Sequence, residues 1–243
     1  MKNLIKLIII CSFVTSPLSS QIKINGYFGY GTYDMSQQKS FHQFFIDNLK
    51  NDYGIDLAIL DDFPGYFNYA VEIQESFDNT ELSFGFIYQS TGARSFYKDY
   101  SGQINYDISI EGFGPVIGIE REFYSSELVS IAAKLRPQLL FSNQEFTSNL
   151  ELYDYGETET VKIKGYNIGI EPSIKLYRQF NRILLSLNAG YYLDLHRGQL
   201  KAEVMDEDID VSIPGTDKAL RNNWDGFRVS LGIGYQISSK QSD

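Results

Sequence analysis

The residues from Gly226 to Ile237 read G-F-R-V-S-L-G-I-G-Y-Q-I, and their pattern indicates the kind of fold. Large apolar side chains occupy every second position, which are Phe227, Val229, Leu231, Ile233, Tyr235 and Ile237. The positions between them are polar or glycine. Because side chains alternate between the two faces of a β-strand, the pattern predicts a strand with one apolar face. Such a strand fits a soluble barrel with an apolar interior or a membrane barrel with an apolar exterior.

The composition of the whole chain agrees with an all-β fold. Its 243 residues include 18 Tyr, 17 Phe and 20 Gly but only 6 Pro, a mixture that favours strands and turns over helices. The formal net charge is -10, and this excludes nucleic acid as an expected partner because phosphate binding needs a basic surface.

The N-terminal residues predict an export signal. Lys2 and Lys6 precede an apolar core at residues 7–14 and a small-residue stretch at 16–20. We therefore expect a signal peptide over residues 1–20 and one barrel domain over residues 21–243. The only cysteine, Cys11, lies in the signal, so the mature chain would hold no disulfide or thiolate site. No later apolar run reaches eighteen residues, so the mature chain could span a membrane only as a closed barrel.

Seven further stretches alternate like the last one. Predicted strands cover about residues 22–33, 66–77, 82–97, 103–123, 129–141, 161–176 and 183–200. Short turns are predicted at Asp78, Ser125 and Asn181, and longer polar loops at 147–159 and 201–223. The apolar phase changes near Gly112 and Gly165, for which a glycine-marked bulge is the expected cause.

Residues 36–50 break the strand rhythm. Ser36 is a suitable N-cap, and Phe41, Phe44, Phe45 and Leu49 follow at helical spacing. The spacing predicts a short amphipathic helix in the first external loop, placed on the barrel mouth or in the membrane interface.

The last strand also resembles the C-terminal assembly signal of bacterial outer-membrane barrels, in which a polar residue, a glycine and two aromatics recur at fixed spacing. Ser230, Gly232 and Tyr235 match this signal, and Ile237 stands at the second aromatic position. With eight strands and alternating short and long connections, the chain is similar to the small OmpA-like and OmpX-like barrels. The resemblance implies an all-β, eight-stranded, antiparallel, up-and-down transmembrane β-barrel.

The same resemblance implies a location and partners. We expect a monomer in the outer membrane of a Gram-negative bacterium, surrounded by outer-membrane lipid and lipopolysaccharide. The barrel-assembly machinery would be its partner during biogenesis.

Eight strands enclose a space that side chains fill, so polar residues on the inner faces should meet one another. The alternation places eight charged residues there, which are Glu72, Glu120, Lys134, Arg136, Glu171, Lys175, Asp194 and Arg228. Unpaired buried charges are costly, so we expect a satisfied network that closes the lumen to ions. A gated ion or proton path through the network is the alternative.

Few residues suggest catalysis. The chain has two histidines, His42 and His196, and the second shares a predicted face with Asp194. Some eight-stranded barrels are lipid A acyltransferases or deacylases that use His near the outer rim, which makes this pair the catalytic candidate. The acidic run Met205–Asp210 lacks the glycine and glutamate of an EF-hand, so we expect no metal and no cofactor.

The sequence thus predicts a non-enzymatic outer-membrane barrel with a side-chain-filled lumen and a structural or loop-mediated binding role. Residues 90–102 are candidates for contact with a lipid headgroup or glycan. Two alternatives stay open at this point, a lipid A-modifying enzyme and a soluble exported binding barrel of the lipocalin type.

Overall fold

A computed structural model describes residues 21–237 except 78, 101, 153–154, 205–206, 214 and 217. The predicted signal peptide and the turn residue Asp78 lie outside the described residues.

Long strands and one helix make up the described chain. In order they are β1 (Gln21–Gly31), α1 (Ser36–Tyr53), β2 (Ala58–Asp62), β3 (Tyr66–Phe77), β4 (Thr80–Lys98), β5 (Gly102–Ser125), β6 (Ser130–Leu152), β7 (Tyr155–Phe180), β8 (Ile183–Arg197), β9 (Lys201–Val204), β10 (Glu207–Asp210) and β11 (Gly226–Gln236).

Within the described residues, eight of these strands close a ring. They follow the order β1, β3, β4, β5, β6, β7, β8 and β11, and each pairs with the next in antiparallel fashion. The pairing of β1 with β11, from Lys23 opposite Gln236 to Gly31 opposite Arg228, completes the circle. The predicted eight-stranded, up-and-down barrel is confirmed.

The apolar faces of the strands point away from the barrel axis. Leu231 and Leu187 are 63% and 40% exposed, whereas Arg136 and Glu171 are 6% and 1% exposed. A soluble barrel would bury the first pair and expose the second. The lipocalin-type alternative is therefore wrong.

The predicted glycine bulge near Gly112 is also wrong. The pairing of β4 with β5 runs without a register shift from Thr80 opposite Arg121 to Lys98 opposite Gln103. The second phase change, near Gly165, lies in an equally continuous pairing of β6 with β7. The backbone phase is constant at both places, so the apolar pattern must change faces for another reason.

That reason is a change of surroundings along β5. Its outward positions are polar at Asp107 and Ser109 and become apolar from Phe113 to Ile119, while the inward residues Ile108 and Ile110 are buried. A wall in water needs a polar outer face and an apolar inner one, and a wall in hydrocarbon needs the reverse. The strand therefore crosses from the membrane into water near Glu111.

Aromatic side chains mark this crossing on neighbouring strands. Each member of one row is the direct cross-strand partner of the next, and the row consists of Phe28, Tyr69, Tyr88, Phe113, Phe141 and Tyr166. Aromatic girdles of this kind lie at the membrane interface of outer-membrane barrels.

Two predicted loops contain strands. The polar segment 147–159 belongs to β6 and β7, which stay paired as far as Leu152 opposite Tyr155. The segment 201–223 contains the hairpin of β9 and β10, and β9 extends the sheet by pairing with β7. Each strand of this hairpin has only four residues, the shortest length over which alternation indicates a strand.

Above the membrane the wall thus continues as an extracellular sheet. We use this name for the upper parts of β4–β7 together with β2, β9 and β10. In the described part of the chain, no helix is long and apolar enough to cross a membrane.

Candidate functional site: the filled lumen

Glu72 on β3 is the first centre of the charge network inside the wall. Lys134 Nζ donates to Glu72 Oε2 at 2.5 Å, and Arg136 NH1 donates to Glu72 Oε1 at 3.2 Å. Ser83 Oγ adds a third hydrogen bond at 2.8 Å. The carboxylate, taken out of water, is therefore compensated by two cations and a hydroxyl.

Glu171 on β7 is the second centre. It accepts from Arg136 NH2, from Arg228 NH1 at 3.0 Å and from Gln138 Nε2 at 2.9 Å. Because Arg136 reaches both glutamates, the residues Glu72, Lys134, Arg136, Glu171 and Arg228 form one connected chain of charges across the lumen.

A second group lies towards the short turns. Lys175 Nζ donates to both oxygens of Glu120 at 2.9 Å. Gln74 links Glu120 to Glu81, and Lys23 Nζ donates to Glu81 Oε1 at 2.6 Å. Sequence reasoning missed Lys23 and Glu81, although alternation with Ile22 and Leu82 places both on the inner face.

Asp194 does not join this network. Its carboxylate lies higher in the barrel, where it accepts from the backbone N–H of Trp224 at 2.7 Å and from Asn167 Nδ2 at 3.0 Å. Trp224 is fully buried, its Nε1 donates to Ser142 Oγ at 3.2 Å, and its ring packs edge-on against Tyr33. Sequence reasoning missed Trp224, although it is the only tryptophan of the chain.

The predicted pair of Asp194 and His196 is not formed. The pairing of β7 with β8 shifts by one residue between Ile168 opposite His196 and Gly169 opposite Asp194. This bulge turns Asp194 inward and His196 outward, where the imidazole stacks on Tyr166.

Helix α1 closes the mouth of the barrel. Gln38 is fully buried and bridges Gln144 Nε2 at 2.9 Å and Asn222 Oδ1 at 2.8 Å. Phe45 stacks on Tyr106 with ring centroids 4.1 Å apart. Of the two placements that the sequence left open, the helix takes the barrel mouth.

The helix begins one residue away from the predicted cap. Met35 is the N-cap residue, with a φ of 44° in the left-handed region, and Gly54 ends the helix with a φ of 70°. Ser36 Oγ donates to the Asp34 carboxylate at 3.2 Å and does not cap the helix. The cap is set by the buried position of Met35, which the local sequence does not reveal.

His42 occupies the centre of the contact between α1 and the sheet. Its Nε2 lies 2.7 Å from Ser95 Oγ and its Nδ1 lies 3.7 Å from Asp62 Oδ1. Burial lowers the pKa of His42, although the Asp62 carboxylate acts in the opposite direction. The three residues have the order of a Ser-His-Asp triad, but the Ser95 side chain is fully buried beneath the helix.

No family model matches the chain, and no curated protein matches it either. Several solved structures resemble the chain at low sequence identity. OprG from Pseudomonas aeruginosa has 9% identity and a TM-score of 0.46, with 91% of this chain and 97% of that chain covered. A major outer membrane protein from Thermus thermophilus has 8% identity and a TM-score of 0.47, with 90% and 100% covered. Neisserial surface protein A has 9% identity and a TM-score of 0.34, with 90% and 97% covered.

The polarity of the barrel's outer surface indicates what surrounds the protein. The ring is closed, its outer face is apolar between the aromatic row and the short turns, and its charges are turned inward. Only hydrocarbon covers such a surface at low cost, and a closed barrel is the one β-structure that can enter it. The protein is a membrane-spanning β-barrel.

The residues of the predicted assembly signal lie on both sides of the barrel wall, in β11 and, for Ile237, directly after it. Tyr235 and Ile237 point outward, whereas Ser230 and Gly232 point into the lumen. A Cβ at Gly232 would lie 2.4 Å from Ser186 Oγ, so the strand needs glycine there. Their role in assembly stays a prediction.

Two other predicted contact regions belong to the part of the barrel above the membrane. In residues 90–102, Arg94 is paired with Asp107 at 2.7 Å and Tyr100 is exposed, while residue 101 lies outside the described chain. In the acidic run, residues 205–206 are likewise outside it, and Glu207–Asp210 form β10.

Proposed function

We propose that this outer-membrane barrel is non-enzymatic, that its lumen is sealed, and that it acts in envelope structure or through contacts of its extracellular sheet. One observation carries the proposal. The interior is filled at three successive levels, by the paired charges, by the packed layer around Trp224, and by α1 across the mouth.

The extracellular sheet supports the contact role. Its outer face carries polar side chains held in cross-strand pairs, such as Arg94 with Asp107 and Lys162 with Glu145. We further propose that outer-membrane lipid and lipopolysaccharide surround the wall below it, and that the barrel-assembly machinery inserts it.

Planar bilayers test the sealed lumen. Purified protein that shows heat-modifiable migration, and is therefore folded, should give no steady conductance after insertion. A variant that replaces Gln38, Phe41 and Phe45 by Ala should stay equally silent, because the charge network below α1 still blocks the lumen. Stable channels from the unmodified protein would contradict the proposal.

A second candidate function is acyl hydrolysis, which one observation favours. The order Ser95, His42 and Asp62 matches nucleophile, general base and orienting acid. In this function Ser95 Oγ would attack the ester carbonyl while His42 takes its proton and passes it to the departing alcohol, and water would then hydrolyse the acyl-serine. The ester would have to reach Ser95 with α1 in place, because α1 carries His42.

A fluorophosphonate probe separates the two functions. It reacts with an activated serine hydroxyl, which displaces fluoride, and mass spectrometry locates the adduct. The sealed, non-enzymatic barrel predicts no adduct on Ser95. Labelling of Ser95 that is lost in Ser95→Ala and His42→Gln would establish the hydrolase instead.

A further inference from the structure

A groove of about 460 Å³ runs across the lipid-facing wall between β5 and β8. The surface is depressed there because three small residues, Ala133, Pro172 and Ala189, lie among larger apolar neighbours. Those neighbours are Ile119, Leu135 and Ile174. Elsewhere the outward face of the wall is built mainly from Leu, Ile, Val, Phe and Tyr.

The groove follows the pairing direction of the sheet. Arg121 lies opposite Ala133, Ala133 opposite Ile174, and Ile174 opposite Ala189. Three strand spacings of about 4.8 Å give a length of about 14 Å. One end, at Arg121, lies close to the short turn between β5 and β6, while the other, at Ala189, lies in the middle of β8. The groove therefore leads from the rim of the barrel towards the centre of the bilayer.

Arg121 gives this groove a charged entrance. Its side chain is exposed on the outward face, in phase with Ile117 and Ile119. Among the residues that the structure describes, no carboxylate lies within ion-pair distance of it. A guanidinium at the edge of hydrocarbon is costly without an anion, and phosphate is the anion that its planar donor group binds best.

We propose that the groove binds one phospholipid with an anionic headgroup, one acyl chain lying along the small residues and the phosphate on Arg121. The short turns of outer-membrane barrels face the periplasm, so the lipid belongs to the periplasmic leaflet. The proposal does not depend on the sealed lumen, because it concerns only the outside of the wall.

Native mass spectrometry of the folded barrel, released from detergent micelles, measures such binding directly. Titration with phosphatidylglycerol should give one retained lipid per barrel, with weaker retention of phosphatidylethanolamine, and glycerol phosphate should not compete. Arg121→Gln should weaken retention about tenfold, as expected for one lost charge-assisted hydrogen bond. Ala189→Leu should weaken it similarly by filling the groove.

Two matched variants control for charge and bulk. Arg178→Gln removes another outward arginine near the same rim, one that lies over the Phe180 ring and outside the groove. Gly26→Leu adds an outward leucine on β1, where a new Cβ meets nothing within 4 Å. Both should leave retention unchanged, and heat-modifiable migration should show that all four variants are folded.

Two results would overturn the proposal. One is retention that falls equally in Arg121→Gln and Arg178→Gln, or that Ala189→Leu leaves intact, since binding would then not depend on this groove. The other is a barrel dimer that Ala189→Leu abolishes, which would make a second copy the occupant.

Discussion

Glu171 accepts hydrogen bonds from three side chains, Arg136, Arg228 and Gln138, inside the barrel wall. The donors lie on β6 and β11 and the acceptor on β7, so one carboxylate joins three strands. Removing one partner of a buried ion pair leaves the other charge unpaired and in a low dielectric, and this costs more than the pair itself contributes. Replacing a single residue of the network is therefore expected to lower the free energy of unfolding substantially.

Glu171→Gln should lower the free energy of unfolding by about 3–5 kcal/mol, because Arg228 then has no anionic partner in the described network. Urea unfolding in lipid vesicles, followed by heat-modifiable migration, measures the change. Glu111→Gln serves as control, since Glu111 is exposed and, among the described residues, accepts only from Tyr88 on the outer face. Equal effects of the two substitutions would show that the network contributes little.

The lowered pKa of His42 predicts that the docking of α1 depends on pH. Its pKa is lowered in the docked state, so the undocked helix binds more protons as the pH falls through about 6.5, the ordinary histidine value. Docking should be fully stable above that pH and weaker below it. Hydrogen exchange of the α1 amides, corrected for the intrinsic pH dependence of exchange, should accelerate between pH 7.5 and 5. In His42→Gln that acceleration should be absent, and its persistence would assign the effect to another group.

The strand β5 combines two environments in one continuous element. Its outward residues Ser109 and Ile117 have the same phase on the same strand, yet one lies in the extracellular sheet and the other in the membrane wall. The apparent phase slip in the sequence is thus the position of the membrane boundary. The same reading applies to β7, where the inward Ile163 precedes the outward Tyr166.

Lysine substitutions on the outward face of β5 should distinguish the extracellular sheet from the membrane wall. Ile117→Lys should destabilise the barrel by about 2–4 kcal/mol, the cost of a lysine facing the middle of the bilayer. Ser109→Lys should change stability by less than about 0.5 kcal/mol, as is usual for an exposed site. Unfolding in vesicles measures both. A similar cost for both substitutions would move the boundary away from Glu111.

The whole molecule is a closed wall with a plug at one end and short turns at the other. Its rigidity comes from strands that pair on both sides, and its extracellular sheet rises from β4–β7 without a break in register. Orientation follows from this asymmetry, since the longer connections of outer-membrane barrels are external.

Cysteine labelling tests this orientation on intact cells. Thr158→Cys, in the extracellular sheet, should react with a membrane-impermeant maleimide. Ser126→Cys, in the turn between β5 and β6, should react only after the outer membrane is permeabilised. The chain without either substitution reports background, because its sole cysteine lies in the predicted signal. Labelling of Ser126→Cys in intact cells would reverse the proposed topology.

The sequence alone determined the eight barrel strands and which residues share a face within the membrane, and the exposure of Leu231 and Leu187 then showed that the apolar face is the outer one. Alternation has a period of two, and hydrocarbon outside the wall forces one face of every strand to be apolar, so local pattern is sufficient there. It likewise placed Glu72, Glu120, Lys134, Arg136, Glu171, Lys175 and Arg228 on the inner face.

Only the tertiary structure decided what happens above the membrane. There the polarity of each face of the wall depends on what covers it. The inner face of β5 is apolar because α1 lies on it, and this contact joins distant parts of the chain. The one-residue bulge in β8 that separates Asp194 from His196 is set by pairing with β7, which no local pattern records. The local sequence is sufficient to predict a strand where the medium on each of its faces is known beforehand, as it is within the membrane. Above the membrane, the tertiary structure determines what each face contacts.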